Sequence, residues 1–256
     1  MTHFIVFFDI DGTLVDSQGK VTNETRQAIQ QLKGNGHLPV VCTGRGRGEL
    51  GSIMADAGIE TAILLNGMEL VHNNELIFQG HVAVELVAKL KGLSSRKGHE
   101  LGYYSDGAIK VECHSRTMKQ NFKHFHQSLP QLGDSIASRA NCQMLLLFSS
   151  DSSLDQFYMD NLPQLTFARN SPYSLDVTPK GWDKGTGIRH LMEILDLAGP
   201  TVAFGDGLND LSMFSVVDRS IAMGNAKKEV KEMADRVTLT NDQGGIPVAL
   251  QELGLV

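Results

Sequence analysis

Short apolar runs alternate along the chain with stretches whose apolar residues recur every three or four positions. Phe4-Ile-Val-Phe-Phe8 is β-branched and aromatic with apolar residues on both faces, which predicts a central strand covered on both sides. Thr22 can cap a following helix in which Ala28, Ile29 and Leu32 share one face, with Gly34 and Gly36 as stops. Leu38 to Cys42 reads as a second strand and Ala62 to Leu65 as a third. Between them Leu50, Ile53, Met54 and Ala57 form a helical stripe ending at Gly58. Strand and helix alternating in this way predict a parallel sheet.

The rhythm breaks between Glu69 and Phe78, where two strand-like pieces flank Asn73-Asn74, a pair that tolerates the positive φ of a hairpin turn. From about Val82 a different pattern starts. It gives a helix through Val84, Leu86, Val87 and Leu90, strands near Leu101 to Tyr104 and Ile109 to Cys113, and a helix around Met118 to Phe125. A strand at Met144 to Phe148, a helix near Leu154 to Met159, and strands near Leu165 to Ala168 and Ser174 to Val177 follow, which together suggest a smaller α+β insert. Alternation resumes after Pro179 with a helix over Gly185 to Leu195 and strands at Val202 to Phe204, Ile221 to Met223 and Val237 to Leu239. The main sheet is therefore expected to draw on both ends of the chain.

Composition narrows the function classes. The 256 residues are 41% hydrophobic and 20% charged, as in folded globular proteins. A net charge of −6 gives no electrostatic footprint for nucleic acid. The apolar runs fall well short of the roughly 18 residues of a membrane span, and neither export nor anchoring is expected. Cys42, Cys113 and Cys142 have no paired spacing, so neither a disulfide framework nor a thiolate metal site follows, and a reducing cytoplasm fits best.

The candidate chemistry sits where strands end. Asp9-Ile-Asp11-Gly12-Thr13 puts two carboxylates two residues apart at the carboxyl end of a buried strand, where open α/β sheets bind ligands. An Asp-Gly turn is the plain alternative, but two acids in one crevice are costly unless a cation joins them. Thr43-Gly44-Arg45 follows the second strand with a hydroxyl, a loop amide and a cation. Gly46-Arg-Gly48-Glu-Leu-Gly51 spells a dinucleotide fingerprint, yet the acid that should end the next strand is replaced by Asn66-Gly67. Gly205-Asp206-Gly207-Leu208-Asn209-Asp210 again sets acids after an apolar strand. Lys184 stands at the start of a helix, where it can deliver positive charge beside an anion site. No G-x-S-x-G, H-E-x-x-H or P-loop pattern occurs. Tyr103, Tyr104, Asp106, His114 and Arg116 are candidate substrate contacts of the insert, against the plainer reading of exposed strand-end polar residues.

In order and spacing these segments resemble the haloacid dehalogenase superfamily. FFDIDGTLVDS is similar to its first motif, VVCTGR to its second, the lysine of WDKGTG to its third and FGDGLND to its fourth; SIAMGNA and NDQGGI resemble the Cof-like, type IIB branch. The resemblance implies a Rossmann-like parallel-sheet core, residues 1–81 and 181–256, with an inserted α/β cap of C2B type over 82–180. It implies Asp9 as nucleophile and Asp11 as the acid and base. Magnesium would be held by Asp9, the Asp11 carbonyl and Asp206, with Asn209 and Asp210 around it. Thr43, Gly44, Arg45, Asn66, Lys184 and Asn209 would face the phosphate. Dehalogenases of the superfamily lack an acid at the Asp11 position, because a halide needs no proton to leave, so phosphoryl chemistry is favoured. The expectation is a magnesium-dependent phosphatase of small phosphate esters, sugar phosphates first, with a phosphomutase or a non-catalytic sensor as rivals.

Overall fold

In the computed structural model, which describes residues 3–125, 127–133 and 141–256, the first apolar run forms strand β1 (Ile5–Phe8), fully buried as a two-faced pattern requires. The wide turn Ile10–Leu14 follows, then helix Asn23–Gly34, capped where Thr22 Oγ1 accepts from Thr25 N at 3.2 Å. Next come β2 (Leu38–Cys42), β3 (Ala62–Leu64), β4 (Glu69–His72) and β5 (Glu75–Gln79). Asn73 and Asn74 both take the positive φ expected of the hairpin turn.

The middle of the chain contains β6 (Glu100–Ser105), β7 (Ala108–Val111), β8 (Gln131–Leu132), β9 (Met144–Phe148), β10 (Leu165–Ser171) and β11 (Ser174–Pro179). The last third adds β12 (Thr201–Gly205), β13 (Arg219–Ala222) and β14 (Arg236–Val237). One sheet runs in the order β14-β13-β12-β1-β2-β3-β4-β5, with β14 through β3 parallel and β4 turned antiparallel to β3. Both ends of the chain meet at its centre, where β1 lies between β12 and β2 and Phe8 stacks on Phe204 at 5.2 Å.

The chain divides into two compact units, one of residues 1–43, 50–77 and 183–256, the other of 44–49 and 78–182. The core of the first joins Val6, Phe8, Val41, Val202, Phe204 and Ile221 of the sheet to Ala28, Ile29 and Leu32, the apolar stripe of its first helix. In the second unit the sheet order is β10-β11-β9-β6-β7-β8, antiparallel except between β7 and β8. Helices Val84–Arg96 and Asp155–Asn161 contribute Val87, Leu90 and Tyr158 to the same apolar cluster as Leu101, Tyr103, Leu145 and Leu147. Tyr103 and Tyr104 are therefore not the exposed strand-end groups of the plainer sequence reading: both are buried, because alternate residues of β6 are covered on both faces. Asp106 instead makes a hairpin corner with positive φ, and His114 Nε2 bonds to Pro130 O at 2.8 Å.

Candidate active site

Parallel pairing brings the acidic loops together. Phe8 is level with Phe204 on one side and Val41 on the other, so Asp9 leaves β1 beside Gly205-Asp206 and beside Cys42-Thr43. Asp9 N donates to Phe204 O at 3.0 Å, which fixes where its carboxylate starts. Beyond it the chain bends through Gly12 at φ 78°, a conformation that favours glycine, and a Cβ there would collide with the Asp206 carboxylate. Asp11 sits half-buried in this bend, and Thr13 Oγ1 donates to Asp206 Oδ1 at 3.3 Å.

Asp210 folds back over the end of β12. Its Oδ2 accepts from Asp206 N at 2.8 Å and from Gly207 N at 2.9 Å, and only a glycine at 205 leaves room for its side chain. Lys184 is the first residue of helix Lys184–Ile194, which Asp183 caps by accepting from Thr186 N. The lysine is fully buried, and its Nζ donates to Asp9 Oδ1 at 2.5 Å and to Asp210 Oδ1 at 2.6 Å. One ammonium thus joins the two acidic segments, the one after β1 and the one after β12.

Three carboxylates, those of Asp9, Asp206 and Asp210, each offer an oxygen within 4.8 Å of the others. Burial, reinforced by the neighbouring acids Asp210, Asp206 and Asp11 and opposed by Lys184, holds the Asp9 carboxyl well above its ordinary value. Burial and then Asp210 push Asp206 up to about 7. Burial works against the Lys184 charge, but Asp210 and Asp9 outweigh it and raise its pKa. Two oxygen-only acids that are hard to ionise, with one buried ammonium against three carboxylates, fit a site for a hard divalent cation.

The remaining candidates divide. Thr43 is buried; its amide donates to Ile63 O at 2.9 Å and its carbonyl accepts from Asn66 N at 3.1 Å. Asn66, buried with φ 53°, thus lies against Thr43 through the backbone. Asn209 is partly buried, with its carbonyl accepting from Ser212 Oγ. Gly44 and Arg45 group with the second unit, where Arg45 Nη1 donates to Glu49 O at 3.1 Å. The dinucleotide fingerprint fails in form: Arg47–Glu49 is one short turn and the helix begins only at Ile53. Thr13, two residues past Asp11 in the same segment, has no role in the sequence-based expectations, and neither have Asn225, Asn241 and Asp242.

Fold and site together define an α/β enzyme with a carboxylate–lysine centre at the carboxyl edge of a parallel sheet. Residues 6–250 match the model of the haloacid dehalogenase-like hydrolase family. The putative phosphatase YkrA of Bacillus subtilis is 32% identical over 98% of this chain and 98% of its own. A hypothetical protein of Geobacillus kaustophilus superposes with TM-score 0.87 at 32% identity, covering 99% of this chain and 100% of the other. A subclass IIB sugar phosphatase superposes with TM-score 0.90 at 27% identity over 100% of both chains. The chain belongs to the haloacid dehalogenase-like hydrolase family and is a phosphatase of that family. The expected likeness to the Cof-like, type IIB branch is borne out.

Proposed function

We propose that the protein is a cytoplasmic, magnesium-dependent phosphatase of small phosphorylated metabolites, sugar phosphates first, working through a phosphoaspartate on Asp9. The observation that carries this reading is the fully buried Lys184 clasped between Asp9 and Asp210 beside Asp206. A carboxylate approaching a phosphate ester meets repulsion on the order of 4 kcal/mol per unit charge pair at 4 Å. Lys184 opposes that repulsion from the protein side. Bound magnesium would supply the remaining positive charge on the phosphoryl oxygens.

Asp9 and Asp206 carboxylates and the Asp11 carbonyl are the proposed ligands. Asp210, whose two oxygens are taken by Lys184 and by two backbone amides, orients them, and Asn209 stands around them. In the first displacement an Asp9 oxygen bonds to phosphorus, the ester P–O bond breaks, and the Asp11 carboxyl proton passes to the departing oxygen. In the second, Asp11 takes a proton from water as that water attacks phosphorus, and Asp9 is restored with release of phosphate. Thr43 and Asn66, joined through the Asn66 N to Thr43 O bond, are assigned to phosphoryl binding.

Sugar phosphates are favoured by the name of the subclass IIB neighbour. A Bacillus subtilis relative named as a 5-amino-6-(5-phospho-D-ribitylamino)uracil phosphatase, 26% identical over 97% of both chains, points to phosphorylated polyols in the same class. The test is a panel of phosphorylated metabolites assayed with magnesium and with chelator. Phosphate release from hexose or pentose phosphates that stops on chelation is expected; release unaffected by chelation contradicts the reading. Product analysis with a hexose 1-phosphate separates hydrolysis from mutase transfer.

A further inference from the structure

Three late side chains converge on the turn that carries Asp11 and on the residues just after it. Asn225 Nδ2 donates to Gly12 O at 2.8 Å, and Asn225 Oδ1 accepts from Asn241 N at 3.1 Å. Asn241 Nδ2 donates in turn to Val15 O at 2.8 Å, and Asp242 Oδ1 accepts from Ser17 N at 2.8 Å. Backbone groups at Gly12, Val15 and Ser17 are thus held by residues more than 200 positions later in the chain, the Asn225 to Gly12 separation being 213. The turn containing Asn225 also reaches the second acidic loop, where Lys227 N donates to Asp206 O at 3.2 Å. Its own position is braced: Gly224 N donates to Leu239 O at 2.9 Å and Lys231 Nζ donates to Gly224 O at 2.6 Å.

We propose that Asn225 is a positioning residue for the acid Asp11, acting through the Gly12 carbonyl, with Asn241 completing the clamp; this rests on the phosphatase reading above. Asp11 lies between Ile10, whose carbonyl accepts from Val15 N at 3.1 Å, and a glycine, the residue with the widest backbone freedom. Without a partner on the Gly12 carbonyl, that freedom passes to the Asp11 side chain. Proton delivery in the transition state depends on sub-ångström placement of the donor, so a hydrogen bond that removes a backbone rotation next to the acid acts on rate. One short turn gripping both Gly12 and Asp206 also keeps the Asp11 loop in register with the other acidic loop.

The test compares Asn225→Ala and Asn241→Ala with the wild type on two esters of similar shape, p-nitrophenyl phosphate and benzyl phosphate, with magnesium. Nitrophenolate leaves without a proton, whereas the benzyl alkoxide needs one. Loss of acid placement should lower kcat/KM for benzyl phosphate roughly tenfold more than for p-nitrophenyl phosphate. The ratio is taken within one sample, so a smaller folded fraction cancels. Equal losses on both esters, or no loss, overturn the clamp and leave Asn225 a brace of the fold. A wild type that turns over neither ester overturns the phosphatase reading, and the clamp with it.

Discussion

Replacing Lys184 by methionine isolates the electrostatic core of the site. The side chain is fully buried, with contacts of 2.5 Å to Asp9 and 2.6 Å to Asp210, so Lys184→Met strands two carboxylates beside a third without the ammonium that joins them. Breaking a buried ion pair from one side costs about 3–5 kcal/mol, because the surviving charge stays desolvated. Methionine fills much of the same volume, which keeps packing loss small. The acids can escape the penalty only by taking up protons. Chemical unfolding in chelator should therefore show a loss of about 3–5 kcal/mol near pH 8 and a smaller one near pH 5. Catalytic efficiency on p-nitrophenyl phosphate should fall roughly 10²–10³-fold, as for removal of one preorganised charge donor. A loss below about 1 kcal/mol, or one of equal size at both pH values, refutes the reasoning.

Other consequences follow from the same geometry. Because the Asp206 carboxyl is raised from 3.8 to about 7, the folded state holds a proton that the unfolded chain has released between those values. Stability in chelator should therefore fall as pH rises from about 4 to about 7, by an amount on the order of 4 kcal/mol, with Asp9 adding in the same direction. Thermal melts with and without magnesium check this, and a rise in stability over that interval in chelator would contradict it. Gly12→Ala should abolish turnover, since its Cβ meets Asp206, whereas Gly19→Ala, at φ 75° with nothing within 4 Å, should cost only about 1 kcal/mol and leave kcat/KM unchanged. Asp235 Oδ2 accepts from Ser220 N and Oγ at 2.7 Å, and those bonds lower its pKa. Asp235→Asn should lose about 1 kcal/mol above the ordinary carboxylate range, and this difference should vanish as pH falls through the depressed value.

The sequence made the main strands legible because burial on both faces leaves an unbroken apolar run. Met144–Phe148 matches its expected bounds, and Ile5–Phe8 falls within one residue of them. Turn chemistry was equally readable at Asn73-Asn74 and at Gly58, which ends its helix with φ 70°. Strand β8 was invisible, since Gln131 and Leu132 are both exposed and carry no periodicity. β14 is shorter than its apolar letters suggest because it is an edge strand with exposed side chains.

At the site, each acidic motif could be read locally as a strand end, but what joins them is tertiary. No spacing rule says that Lys184 reaches two acids at once, or that Asn225, Asn241 and Asp242 return to the first loop. Such contacts depend on strand order, and strand order is not written in periodicity. The grouping of Gly44–Glu49 with the inserted unit has the same origin: Gly48 N bonds to Gly107 O at 2.7 Å, a contact between segments far apart in sequence.

The central claim is that Asp9 carries the phosphoryl group. The most direct measurement is rapid acid quenching of enzyme mixed with a turned-over ester and magnesium, followed by borohydride reduction and peptide mapping. Reduction of the acyl phosphate to homoserine at position 9, absent without substrate and absent in Asp9→Asn, is the expected result. Substrate turnover with position 9 recovered only as aspartate at every quench time, or near-normal turnover by Asp9→Asn, would contradict it.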